Sequence, residues 1–289
     1  MQFVVSTAWS DPLHYVPLAR AADEHGWDSV AISDHVAHPV TIRSPYPYTK
    51  DGSLRWDEHN PWPDPWVAIG AMAGATRRVR FVTNIYVLPM RNPFVAAKAI
   101  GTAAVLSENR VSVGIGVGWM KEEFELLGQD FHTRGKRTDE LVPVLRKLWT
   151  GERVEHHGHF YDFEPLRMTP APSEPVPLLF GGLSEAALRR TARLGDGWVS
   201  DLHTTEEFRE IIGRLRQYRA EYGRGAEPLQ VVGACTDAAD VDGYRRLEDT
   251  GVTHLQTMPW VFYGGQTDSL DDKLDGIRRF ADDVIAKFR

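Results

Sequence analysis

The stretch LLFGGLSEAALRRTARLGDGWVS, residues 178–200, holds one complete structural unit. An apolar run over 176–182 breaks at Gly181-Gly182, and Ser184 stands where a helix would be capped. An Ala-, Leu- and Arg-rich segment follows over 184–194, and a second apolar run begins after Gly195, over 196–200. Short apolar runs bounded by turn residues read as buried strands, and the longer amphipathic segment between them reads as a helix. Strand, helix and strand in that order make a parallel crossover, because parallel neighbours need a long connection.

The same alternation extends in both directions. Further strands are expected over 2–7, 28–33, 79–87, 110–116, 229–235 and 252–258, which brings the number to eight. Helices are expected over 13–25, 64–76, 94–107, 133–150, 205–222, 238–249 and 270–287. Eight such units predict an α/β fold, a single (β/α)8 barrel of TIM type over 1–289, with functional groups on loops at the C-terminal strand ends. An open doubly wound sheet is the weaker reading, since no Gly-rich first turn is present. Gly26, Gly195 and Gly251 each stand between a helix and a strand, as left-handed C-terminal caps would. Two insertions, about 36–63 and 151–175, are rich in Pro and aromatic residues. Neither has the apolar content of a core, so they are expected to fold over one mouth of the barrel as lid and hairpin.

Composition narrows the function. The 289 residues are 42% hydrophobic and 25% charged, with a formal net charge of −7, which argues against a nucleic-acid partner. A single cysteine, Cys235, leaves no intramolecular disulfide and no thiolate-rich zinc site. Neither a leader nor an apolar run long enough for a membrane span is seen, so a cytoplasmic location is the expectation. The run HHGH, 156–159, lacks the further ligands of a metal centre, and no metal is expected.

Four places could carry chemistry. After the second strand, SDH brings Asp34 and His35 to the catalytic face, where an imidazole can exchange a proton near neutral pH. In VTNIYVLPMRNP, residues 82–93, Thr83 and Asn84 offer a hydroxyl and an amide to a heterocycle, while Asn92-Pro93 reads as a plain helix start. VGIGVGW, residues 113–119, lacks the spacing of a dinucleotide fingerprint. Its Gly116 and Gly118 would instead admit a flat ring to the backbone beside Trp119. Gly181, Gly182, Leu183 and Ser184 precede a helix, whose free first-turn amides suit a phosphate. Arg134 and Arg137, in RGKRTDEL, read as local salt-bridge partners, with contact to a cofactor tail as the weaker reading.

Together these stretches, SDH, LPMRNP, LSENRVSVGIGVGWMKEEFELLG, RGKRTDEL and GGLSEAALRRTARLGDGW, resemble the bacterial luciferase-like family of flavin- or deazaflavin-dependent oxidoreductases. The resemblance covers nearly the whole chain. It implies a cofactor ring over the strand ends with its phosphate at Gly181–Ser184, and the branch using coenzyme F420 is the best match, with FMN as the alternative. On that footing His35 is the proton donor or acceptor, Asp34 holds its loop or the ring edge, and Tyr46, Tyr48, Trp56 and Trp62 shape the substrate pocket. The expected reaction is hydride transfer to or from a small organic substrate. The alternatives are an FMN-dependent two-component monooxygenase using O2 and a flavin-binding protein without turnover. A homodimer, and a separate flavin or F420 reductase as partner, are further expectations. A barrel hydrolase is disfavoured, for want of paired carboxylates.

Overall fold

The computed structural model describes residues 1–289. In chain order the strands are β1 (Gln2–Ser6), β2 (Ser29–Ile32), β3 (Arg80–Thr83), β4 (Tyr86–Val87), β5 (Val111–Gly116), β6 (Arg153–His157), β7 (Asp162–Arg167), β8 (Leu178–Gly181), β9 (Gly197–His203), β10 (Gln230–Cys235) and β11 (His254–Thr257). Eight of them, β1, β2, β3, β5, β8, β9, β10 and β11, pair in parallel with their neighbours. β1 pairs with both β2 and β11, and β3 pairs with β5, so the sheet closes. The predicted barrel is therefore present, and each of its eight strands overlaps a segment expected from the sequence.

Alternation along the strands divides the core in two. Val4, Ala31, Val82, Leu179, Val199 and Val232 point inward and form a small cluster inside the barrel. Phe3, Val5, Val30, Ile32, Phe81 and Trp198 point outward into the large cluster shared with the surrounding helices. This inner cluster of Val, Ala and Leu side chains lies within the barrel, and a separate cavity opens at the C-terminal strand ends.

Three expectations need correction. The expected strand 79–87 is divided into β3 and β4, with a cis peptide bond at Asn84–Ile85 between them. Gly26 and Gly251 do adopt positive φ (77° and 110°), but Gly195 is extended at φ −92°. Space is the reason for that glycine: a Cβ there would lie 2.8 Å from the Phe180 ring. Finally, the 151–175 insertion does not cover the open mouth. Its hairpin of β6 and β7 lies outside the barrel, with Phe163 against Phe94 at 5.2 Å and Glu140 accepting from the amides of Phe160 and Tyr161. It joins a helix to the following strand, so it leaves the barrel at the end opposite the C-terminal strand ends. In this hairpin His156 meets Glu140 at 3.2 Å and His157 meets Asp162 at 2.6 Å, two separate pairs.

Ile85 packs against two of the glycines at the mouth. Its side chain packs on Gly116 and Gly181, and a Cβ on Gly116 would fall 1.7 Å from Ile85 Cδ1. The glycine of β5 thus makes room for Ile85. Gly116→Ala is expected to cost about 1–3 kcal/mol of stability through overpacking, measured by urea denaturation. An unchanged midpoint would mean that Ile85 moves aside freely.

Candidate active site

The C-terminal strand ends open into a cavity of about 940 Å³, and the 36–63 insertion forms one wall of it. Of the residues expected at the site, Asp34, His35, Tyr46, Tyr48, Trp56, Trp62, Asn84, Gly116, Gly118, Trp119, Gly181, Gly182, Leu183 and Ser184 all line this one space. Thr83 does not. It is wholly buried, and its hydroxyl donates to the Gly114 carbonyl at 2.9 Å, so β3 and β5 use it between themselves.

His35 is held from behind. Its Nδ1 lies 2.8 Å from Glu123 Oε2, while Nε2 meets no protein partner. Beside a carboxylate Nδ1 carries the proton, which leaves Nε2 as the nitrogen available to a ligand. Glu123 is only 2% exposed, and its other oxygen accepts from the amides of Val36 and Ala37 at 2.7 and 3.2 Å. Burial by itself would raise the Glu123 pKa. The bond from His35, the imidazole's charge and the two amides outweigh it and hold the carboxyl below its ordinary range.

The neighbouring Glu122 accepts from the amides of Arg43 and Ser44 at 2.7 and 3.2 Å. A short helix, Lys121–Leu126, therefore grips the insertion at two points. A third grip lies across the mouth, where Arg55 donates to both oxygens of Asp201 at 2.9 and 2.7 Å and to the Tyr48 carbonyl at 2.7 Å. The insertion is thereby pinned as a lid. Its aromatic residues close around the imidazole: Trp62 lies 4.9 Å and Trp56 5.3 Å from the His35 ring, and Tyr46 meets Trp119 edge-on at 5.3 Å.

Asp34 is also buried, but it faces another way. It accepts from Val87 N at 2.9 Å and from Arg91 at 2.6 Å, so it ties the exit of β2 to β4. Burial pushes its carboxyl pKa up, against the pull of the Arg91 guanidinium. It positions the loop that carries His35. Asn84 spans the mouth, donating to Gln256 Oε1 at 2.8 Å.

At the far side, Ser184 caps the helix Glu185–Leu194 by accepting from Ala187 N at 3.3 Å, and Gly182 has φ 111°. The cap uses the Ala187 amide and leaves the two amides before it, at the first helical positions, without intrahelical acceptors. Arg134 lines the same space. Contrary to expectation, neither Arg134 nor Arg137 pairs with a carboxylate. Arg134 donates to the carbonyls of Gly118 and Phe131 at 3.0 and 2.8 Å, and Arg137 donates to that of Asp130 at 2.7 Å. Gly118, with φ 84°, has no room for a Cβ, which would meet Phe124 at 2.6 Å.

Sequence reasoning missed Glu123, Glu122, Arg91 and the Arg55–Asp201 pair. The stretch WMKEEFELLG offered a signal for Glu123 alone, since an acid directly before a core Phe is poorly placed for solvent. Nothing local marked Asp201 or Arg55, which are 146 residues apart in sequence.

With this geometry in place, comparison with known proteins places the chain in a family. The model of the luciferase-like monooxygenase family matches residues 4–242, and the chain belongs to that family. An uncharacterized protein of Mycobacterium tuberculosis is 39% identical over 290 residues, covering 99% of this chain and 100% of the relative. The F420-dependent glucose-6-phosphate dehydrogenase of Nakamurella multipartita is 31% identical over 248 residues, covering 83% of this chain and 67% of the relative. The crystal structure of monooxygenase RslO1 from Streptomyces bottropensis superposes with a TM-score of 0.73 at 19% identity, covering 100% of both chains. The chain thus has the fold and family of luciferase-like oxidoreductases.

The depressed carboxyls have a consequence for acid stability. A group whose pKa is lower folded than unfolded stabilises fully above its unfolded value and loses that contribution as the pH falls through the folded one. Glu123 and Glu122 are both of this kind. Between about pH 5 and pH 3 the unfolding free energy of Glu123→Gln is expected to fall less steeply than that of the wild type. Urea titrations across that range measure it, and parallel curves would contradict an ionised, buried Glu123.

Proposed function

We propose that the protein is an F420-dependent oxidoreductase that transfers hydride between the deazaflavin and a small organic substrate. The observation that carries the proposal is His35, backed by buried Glu123, with Nε2 free on a cavity whose opposite side is a glycine-marked helix N-terminus. The 31% identity to an F420-dependent dehydrogenase supports this choice of cofactor.

The residues fit such a group. The volume of about 940 Å³ suits a tricyclic ring with a tail, and Ile85 offers an apolar surface in the mouth. The first-turn amides after Ser184, with Arg134 on the same cavity, would hold a phosphate. When bound, the deazaflavin supplies hydride exchange at a ring carbon and makes no use of oxygen. The protein then has one proton to move for each hydride. In reduction of a carbonyl, doubly protonated His35 gives the Nε2 proton to the oxygen as hydride reaches the carbon. In oxidation of an alcohol, neutral His35 takes that proton at Nε2. Glu123 fixes the tautomer, steadies the imidazolium and orients the ring. The lid keeps water from the reacting atoms.

The family description and the RslO1 fold favour a second reading, an FMN-dependent monooxygenase. Fluorescence titration of purified protein with F420 and FMN side by side separates the two. Saturable binding of F420 in preference to FMN is expected, and the reverse would overturn the deazaflavin assignment.

The Ser184 hydroxyl accepts from Ala187 N and keeps its own proton to offer a phosphate, so Ser184→Ala is expected to weaken F420 by about tenfold, the worth of one hydrogen bond to a charged group, and to leave the dephosphorylated deazaflavin within twofold. Equal losses for both ligands would remove the phosphate from this loop.

His35→Ala is expected to leave F420 affinity within a few-fold and to lower turnover by about 10²-fold or more, as loss of a positioned acid or base does. Turnover at the wild-type rate in that variant would assign the proton to another group.

A further inference from the structure

The walls of the cavity beyond His35 say what kind of molecule enters. Trp56, Trp62 and Trp119 crowd the imidazole from the lid side. On the rim, Trp9, Leu183, Leu202, Val261 and Phe262 are 37–50% exposed, and all of them line this one cavity. Large apolar side chains left in water together mark a surface that something apolar covers.

Charge tells the same story. Five lining residues have carboxyl, ammonium or guanidinium side chains: Asp34, Arg55, Lys121, Arg134 and Asp201. Asp34 is matched by Arg91 at 2.6 Å, and Arg55 and Asp201 neutralise one another at 2.7 Å. Lys121 is half-exposed and pairs with Glu125 at 3.2 Å in solvent, and Arg134 stands on the side of the helix N-terminus, where the cofactor phosphate would take its remaining donor. Apart from the His35 imidazole itself, whose charge Glu123 balances, no cation at the aromatic cluster is left to receive a phosphate or carboxylate, and no carboxylate is left to receive an ammonium. A charged substrate would shed its water without gaining a partner.

We infer that the substrate is an uncharged molecule with a flat aromatic or alicyclic body, whose carbonyl or alcohol carbon reaches His35, and that a sugar phosphate is excluded. This rests on the hydride-transfer reading of the same site. It separates this chain from the relative named for glucose 6-phosphate, whose substrate is a dianion near neutral pH.

The test uses one ketone skeleton in three charge states, with the full-length protein, with and without F420. Acetophenone, 4-acetylbenzoate and 4-acetyl-N,N,N-trimethylanilinium are titrated by quenching of tryptophan fluorescence and by calorimetry, and glucose 6-phosphate is titrated beside them. Acetophenone is expected to bind saturably and at least tenfold more tightly than either charged analogue, and glucose 6-phosphate is expected not to bind. Trp62→Ala should abolish acetophenone binding. So that a disturbed lid is not mistaken for a lost contact, V261K on the exposed opposite rim should weaken acetophenone and strengthen 4-acetylbenzoate. Absence of saturable acetophenone binding, or equal or tighter binding of 4-acetylbenzoate, the trimethylanilinium or glucose 6-phosphate, overturns the inference. If acetophenone is preferred while F420 fails to bind, the substrate class stands and the cofactor assignment falls.

Discussion

The buried carboxylate of Glu123 is the interaction around which the mouth of the barrel is organised. An ionised group at that depth carries a desolvation cost of several kcal/mol, which is offset only when all its lone pairs find donors. Here one oxygen takes the His35 imidazole, and the other takes the amides of Val36 and Ala37. Removing Glu123 would therefore release the imidazole and the first residues of the lid together. The tautomer of His35 and the position of the lid are set by the same charge.

The remaining contacts extend this arrangement. Glu122 fixes Arg43 and Ser44, a few residues further along the lid, and Arg55 closes its other end on Asp201. The lid has no helix or strand of its own between residues 36 and 63. Its shape comes from side-chain carboxylates binding backbone amides, and from edge-to-face aromatic packing of Tyr46, Trp56 and Trp62. Such a segment is ordered by three anchors and not by a ladder, so it is free to vary in sequence between them. Substrate preference can then change without disturbing the barrel.

This explains what could be read in the sequence and what could not. The barrel was legible because burial on both faces writes each strand as a short apolar run, and because Asn92-Pro93 and Ser184 mark helix starts that the structure confirms by their caps. The glycine run of β5 was visible too, and Gly116 and Gly118 do line the cavity, but one of their neighbours was not foreseen. The pattern shows that side chains are missing there, not that Ile85 fills the space from across the mouth. Thr83 was misread for a related reason, since a hydroxyl at a strand end looks the same in sequence whether it faces a ligand or a neighbouring strand. Arg55 and Asp201 meet only because the lid folds back over β9, and no periodicity records that.

The site therefore divides by how each part is specified. The helix N-terminus after Ser184 is a backbone feature, and many sequences can supply it as long as a glycine turn and a cap precede the helix. The proposed proton-handling side depends on His35 and Glu123, 88 residues apart and facing each other only when β2 and the start of the Lys121–Leu126 helix share one end of the barrel. The apolar rim has the loosest requirement, since any large side chain keeps water out. On the proposed reading, a phosphate subsite tied to the backbone, a dyad tied to the barrel and a rim tied to neither make a scaffold in which redox chemistry is kept constant while the choice of substrate drifts. Within that scaffold the internally neutralised Arg55–Asp201 pair matters doubly. It closes the lid, and by consuming its own charges it leaves the mouth of the proposed substrate pocket without an ion to offer.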